Sequence, residues 1–179
     1  MCAALLVLAA ACGGSSGTPK AAVTTGGATT TTLPTFISVV TPSVSAQMVC
    51  GTEGQAVIGA ALNETPTKVT KPTWVSHVYS CDYVYKTGTM GIAVKELSTA
   101  KETTAYFNGL KKTLGLRETF DLGQGAFITP HGLVVARKDY KVLTVDPTRL
   151  PARFGEPPAP RSSVSIEAAG ALMSCWTGA

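Results

Sequence analysis

Five cysteines and two histidines carry most of the reactive chemistry in this 179-residue chain, and their spacing limits what that chemistry can be. Cys2, Cys12, Cys50, Cys81 and Cys175 stand far apart, and His77 and His131 stand alone. No C-x-x-C or H-x-x-x-H spacing points several ligands at one ion, so no metal site is expected. A histidine acting as general base needs a partnered serine, cysteine or aspartate. His77 has none at a recognisable spacing and reads as a core histidine on an aromatic strand face, while His131 reads as a solvated turn residue. Asp82, Glu96 and Asp121 are of the right type for paired-carboxylate hydrolysis, but nothing in the sequence pairs them. Trp74, Tyr79, Tyr83 and Tyr85 could line a ligand groove, yet aromatics at period two on one strand read first as core. Gly123-Gln124-Gly125 runs into a strand instead of a helix, so it lacks the helix N-terminal amides of a phosphate loop and reads as a tight turn. Asn63-Glu64-Thr65 fits a glycosylation sequon by chance. No catalytic residue, cofactor or enzymatic activity is expected.

Composition agrees with one ordinary globular domain: 45% apolar, 15% charged and 7% aromatic residues. The net charge of +4 is spread singly along the chain, which gives no nucleic-acid footprint. The first residues, MCAALLVLAAAC, form an uncharged apolar run of about 11 residues, well short of the roughly 20 that span a bilayer. A short apolar stretch ending in small residues before a Gly/Ser/Thr-rich segment has the form of an export leader. Ala9-Ala10-Ala11-Cys12 followed by Gly13-Gly14-Ser15-Ser16 resembles a bacterial lipobox, with Ala9 where such boxes usually carry leucine. The resemblance implies a signal peptide over 1–11, cleavage before Cys12, and a diacylglycerol with palmitate-type acyl chains on the Cys12 thiol. The rival reading is plain secretion, with Ala9 and Ala11 as an A-x-A cleavage site. Because no Lys or Arg precedes the apolar run, a basic region is expected upstream of Met1. Two or three acyl chains hold a protein stably on a membrane, so the domain is expected at the extracytoplasmic face of the cell membrane.

Residues 12–47 read as the lipidated cysteine and a disordered Ser/Thr/Gly-rich tether, which holds too few large apolar side chains to repay ordering. Phe36–Val40 is left open as strand or tether. The globular α+β domain is expected over 48–179. With Cys12 acylated and the leader gone, Cys50, Cys81 and Cys175 remain, enough for one disulfide in an oxidising compartment. Loop entropy alone does not choose among the three pairings. Cys50–Cys81 is favoured, since Cys50 precedes a helix and Cys81 sits in mid-strand. Cys175, sharing a helix face with Ala168 and Leu172, is then expected to be a buried free thiol.

The elements positioning these residues follow from periodicity. Thr52-x-x-Gln55 has the form of a capping box before a helix over 53–62. Thr73–Tyr85 alternates as one strand with Val75, His77, Tyr79, Cys81, Tyr83 and Tyr85 on one face, and Thr89–Leu97 returns after Lys86-Thr87-Gly88. Thr99-x-x-Glu102 caps a second helix carrying Phe107, Leu110 and Leu114, with Lys111 and Lys112 in its last turn and Gly115 as stop. Strands over 125–129, 133–137 and 141–145 suit a meander. A proline-rich stretch leads to a last helix capped by Ser162 or Ser163, with Ile166, Ala169, Met173 and Trp176 inward. The expected order is α-β-β-α-β-β-β-α: a single antiparallel sheet of about five strands with helices packed on one face.

Cys12, Cys50, Cys81-Asp82-Tyr83 and Gly123-Gln124-Gly125-Ala126-Phe127, with the tether, together resemble a group of small actinobacterial cell-envelope lipoproteins of unassigned function. The resemblance implies location and fold type and carries no activity. The resulting expectation is a membrane-anchored, non-enzymatic binding or sensing module, attached through its diacylglycerol and facing an envelope protein, cell-wall or lipid ligand. A carrier of a lipid or other apolar ligand, and an inhibitor of a secreted hydrolase, are the alternatives.

Overall fold

The computed structural model describes residues 40–176. The expected leader, Cys12 and most of the expected tether lie outside them. Four helices and ten strands follow in the order α1 (Val44–Met48), α2 (Thr52–Leu62), β1 (Lys68–Val69), β2 (Thr73–Val75), β3 (Val78–Tyr85), β4 (Gly88–Glu96), α3 (Ala100–Leu114), β5 (Glu118–Phe120), β6 (Ala126–Ile128), β7 (Val134–Lys138), β8 (Lys141–Arg149), β9 (Arg153–Phe154), β10 (Ala159–Pro160) and α4 (Arg161–Ser174). The α+β class is as expected, but the sheet has eight strands where about five were expected, and the element order differs. Its path is β1-β3-β4-β8-β7-β6-β5, with β2 also on β3, and every strand pair is antiparallel. β9 and β10 form a separate two-stranded sheet inside the proline-rich stretch.

The extra strands have a local cause. The expected strand over 73–85 is a hairpin, because Ser76 and His77 both adopt positive φ (50° and 60°) and form the two-residue turn that suits strand twist. That turn inverts the side-chain parity. Trp74 pairs with Tyr79 and shares its face, while Val75 pairs with Val78 on the other. β1 and β5 are edge strands of two and three residues, too short to show alternation.

Helices lie on both faces, not one. Cys81, Tyr83, Tyr85, Met90, Ile92, Val94, Leu143 and Val145 meet Ile58 and Leu62 of α2 and Val164, Ala168 and Leu172 of α4 in the larger core. The opposite parity, Phe127, Val135 and Val142, meets Phe107 of α3 in a smaller one, where the Phe107 and Phe127 rings stand edge to face at 5.3 Å. α3 is the helix with the expected cap: Thr99 Oγ1 accepts from the Glu102 amide at 3.1 Å, and Gly115 ends it. The Thr52 capping box does not form, since Gly51 is the N-cap of α2 without a side-chain bond. α4 is capped at Pro160 instead of Ser162 or Ser163, and its buried stripe is Val164, Ala168, Ala169, Leu172 and Met173, leaving Ile166 exposed.

The described fold also reaches back into the stretch expected as tether. Ser43 caps α1 through its hydroxyl (Ala46 amide, 3.2 Å), and both its amide and its hydroxyl donate to the buried carboxylate of Glu96 on β4. Ala46 and Val49 are fully buried against the larger core. A carboxylate removed from water needs such donors, and these bonds bind α1 to the sheet. Ser43→Ala is expected to lower stability by about 1–2 kcal/mol, the usual range for a lost N-cap, and to speed amide exchange in α1 first. Urea denaturation with hydrogen exchange measures both.

Candidate functional site

α3 covers only the β6-β7-β8 end of its face of the sheet. Beyond it, β3, β4 and β8 present two cross-strand rows to the outside, Ser80–Ala93–Thr144 and Asp82–Gly91–Asp146. These rows floor a groove of about 370 Å³, walled by Thr70, Lys71 and Thr73 on one side and Leu133 on the other. A Cβ at Gly91 would lie 3.3 Å from Arg149 Nη2, 3.5 Å from Asp82 Oδ1 and 3.6 Å from Asp146 Cβ, so these side chains sit against bare backbone. The guanidinium of Arg149 lies over this bare backbone and binds Asp82 through two bonds, Nη2–Oδ1 at 2.5 Å and Nη1–Oδ2 at 3.2 Å. The hydrogen bonds that Arg149 donates to Asp82, with the negative charges of Asp82 and Asp146, hold the pKa of the Arg149 guanidinium above its ordinary value despite partial desolvation. Asp146 Oδ1 in turn accepts from the Thr148 amide (2.9 Å) and hydroxyl (2.6 Å).

The hydroxyls are arranged in the same way. Thr73 Oγ1 and Ser80 Oγ are 3.0 Å apart, and Thr70 Oγ1 accepts from the Asp82 amide at 2.8 Å. Polar groups thus stand in fixed register on the sheet. Ser80 is bonded to Thr73 and not to a histidine, while Asp82 is committed to Arg149 and Asp146 to Thr148. Among the described residues of the groove, these bonds form no nucleophile–base pair of the kind covalent catalysis uses.

The residues singled out from the sequence are scattered. Asp82 is in the groove, but Glu96 is buried behind the sheet and Asp121 is exposed near α3. His77 is exposed in its hairpin turn, its ring 5.9 Å from that of Trp74, so it is not a core histidine. His131 is exposed in the turn before Gly132. Tyr83 and Tyr85 are core, as read; the Tyr83 hydroxyl donates to the Val49 carbonyl at 2.6 Å. Gly123 and Gly125 both have positive φ (62° and 123°), and the Gln124 amide bonds the Arg137 carbonyl at 2.7 Å, the tight turn expected. Asn63 ends α2 in the left-handed conformation.

Cys50 and Cys81 form a disulfide with Cα atoms 6.0 Å apart, tying the start of α2 to the middle of β3. Cys175, half-buried at the C-cap of α4, is also disulfide-bonded, so the free thiol expected there is not present. Cys12 lies outside the described residues. Among the described residues, no group of three or more His, Cys, Asp or Glu side chains could hold a metal ion, and no helix is long and apolar enough to cross a membrane.

Gly91, Asp146 and Arg149 are the groove residues that the sequence reading missed. One signal was available: a glycine inside the alternating run of Met90, Ile92 and Val94 marks a place where something approaches the backbone. No family model, curated protein or solved structure matches the chain.

Proposed function

We propose that this chain is an exported envelope lipoprotein of the small actinobacterial kind it resembles, anchored through Cys12 at the extracytoplasmic face of the membrane. Its folded domain acts as a binding module, and the groove on the open half of the sheet receives the ligand. The observation that carries the reading is the Asp82–Gly91–Asp146 row under Arg149. A charged pair and a run of hydroxyls are held in register around a glycine, on the part of the sheet face that α3 leaves open among the described residues. A sheet face serving only as packing surface would be apolar or closed by a helix. The leader and lipobox pattern supply the location, and the Ser/Thr/Gly-rich segment supplies reach, on the order of 30 Å for a flexible chain of about 30 residues.

The test uses the full chain in its host, with a photo-crosslinking residue at Ser80 in the groove or at Ala56 on the exposed side of α2. A discrete adduct from position 80 and none from position 56 is expected. Cys12→Ala is expected to abolish palmitate incorporation and release the protein from the membrane fraction. Equal adducts from both positions, or none from either at full expression, would remove the groove from the reading. Palmitate retained in Cys12→Ala would remove the anchor.

A further inference from the structure

A second cleft, of about 560 Å³, lies between α3 and the Gly123–Gly125 turn. We propose that it binds a small oxyanion-bearing ligand, a carboxylate or a phosphate monoester, between Lys111 and Arg137. This site is separate from the groove and does not depend on the reading given to it.

Both cations converge on one aromatic ring: Lys111 Nζ is 4.7 Å and the Arg137 guanidinium carbon 5.7 Å from the centre of Phe107, and Lys111 also reaches the Phe127 ring at 5.9 Å. Rings attract cations, but they do not neutralise them. Among the described residues, neither Lys111 nor Arg137 makes an ion pair; Asp121, the carboxylate in the cleft lining, binds neither. Two like charges held around one buried ring repel each other, and an anion between them would turn that repulsion into attraction.

The guanidinium is held in place and left incomplete. One terminal nitrogen donates to the Thr104 hydroxyl and the other to the Gln124 carbonyl at 3.0 Å, while Nε is buried without an acceptor. Each terminal nitrogen keeps a second N–H beyond these bonds, so a guanidinium fixed at the cleft wall still has donors to offer an acceptor that enters the cleft. Asn108 and Thr119 add neutral donors to the lining, suiting the polar body of such a ligand.

The full-length protein is titrated with sodium phosphate and, separately, sodium glucuronate, against sodium chloride at matched ionic strength, following thermal unfolding and calorimetric heat. Saturable stabilisation by at least one of the two oxyanions, beyond that of chloride, is expected. Phosphate alone would indicate a phosphorylated ligand, and glucuronate alone an acidic sugar. Lys111→Gln removes a charge that makes no hydrogen bond among the described residues, so the fold survives, and the dissociation constant should rise about tenfold, as for one lost charge-assisted contact. Arg137→Lys keeps the charge but loses the planar fork and should weaken binding similarly. No stabilisation beyond chloride, or an affinity unchanged in Lys111→Gln, would overturn the proposal.

Discussion

Replacing Cys50 and Cys81 together by alanine is expected to cost about 3–4 kcal/mol of folding stability, the chain-entropy value for a loop closed over a separation of 31 residues. Both cysteines are 6% exposed, so the lost packing adds to the lost cross-link. The effect should be uneven across the fold. The bond joins the segment between α1 and α2 to the middle of β3. The same layer is otherwise fastened there by the Tyr83–Val49 hydrogen bond and, further along, by the bonds between Ser43 and Glu96. Without the bridge, α1 and the first turn of α2 should exchange amide protons well before β4 and β8 do. Gly54 sharpens the expectation. It packs so closely that a Cβ would fall 2.5 Å from the Met48 carbonyl oxygen, so α1 and α2 move together or not at all. Urea denaturation of the parent, oxidised and reduced, alongside the double variant measures the cost. A loss under about 1 kcal/mol would mean that packing alone already fixes this layer. Because a domain of this size is stable by only about 5–15 kcal/mol, the predicted loss is a large share of the whole.

What the sequence disclosed and what it withheld divide along physical lines. α3 was legible because a local code, the Thr99–Glu102 cap with Phe107 and Leu110 at helical spacing, states that a helix starts and has a buried stripe. It does not state which face of a sheet that stripe will cover. α3 lies opposite α2 and α4 because Phe127, Val135 and Val142 give the second face of β6, β7 and β8 an apolar patch. The Ser76–His77 turn was illegible for a different reason. Neither residue is the Asn or Gly that announces such a turn, so the alternation on either side read as continuous. The groove was hidden by sequence distance. Asp82 meets Arg149 across 67 positions, and only the β4–β8 register brings Asp146 level with Gly91. The disulfide was the long-range contact within reach, because cysteine chemistry narrows the partners to a handful before any fold is known.

High pH should unfold this protein through two tyrosines. Tyr83 and Tyr85 are 0% and 3% exposed, and burial raises both phenols well above their ordinary value of about 10, helped at Tyr83 by Tyr85 and at Tyr85 by Glu64. A raised phenol keeps its proton in the folded state after the unfolded chain has lost it. Unfolding then releases protons, so stability is intact below about pH 10 and falls above it, by about 1.4 kcal/mol per pH unit for each tyrosine. Two such groups remove about 5 kcal/mol between pH 10 and 12, and their tyrosinate absorbance near 295 nm should rise with unfolding and not before it. Substitutions separate the pair. The Tyr85 hydroxyl is buried without a partner, so Tyr85→Phe should be neutral or stabilising by up to about 1 kcal/mol at pH 7 and gain further as pH rises. The Tyr83 hydroxyl serves the Val49 carbonyl, so Tyr83→Phe should lose about 1–2 kcal/mol at pH 7, draw level with the parent near pH 11 and exceed it above. Urea midpoints at pH 7, 10 and 11 test the crossing. A tyrosine signal at position 83 that titrated reversibly near pH 10 with the fold intact would mean that water reaches the larger core where the packing of β3 against α1 and α2 leaves it no path.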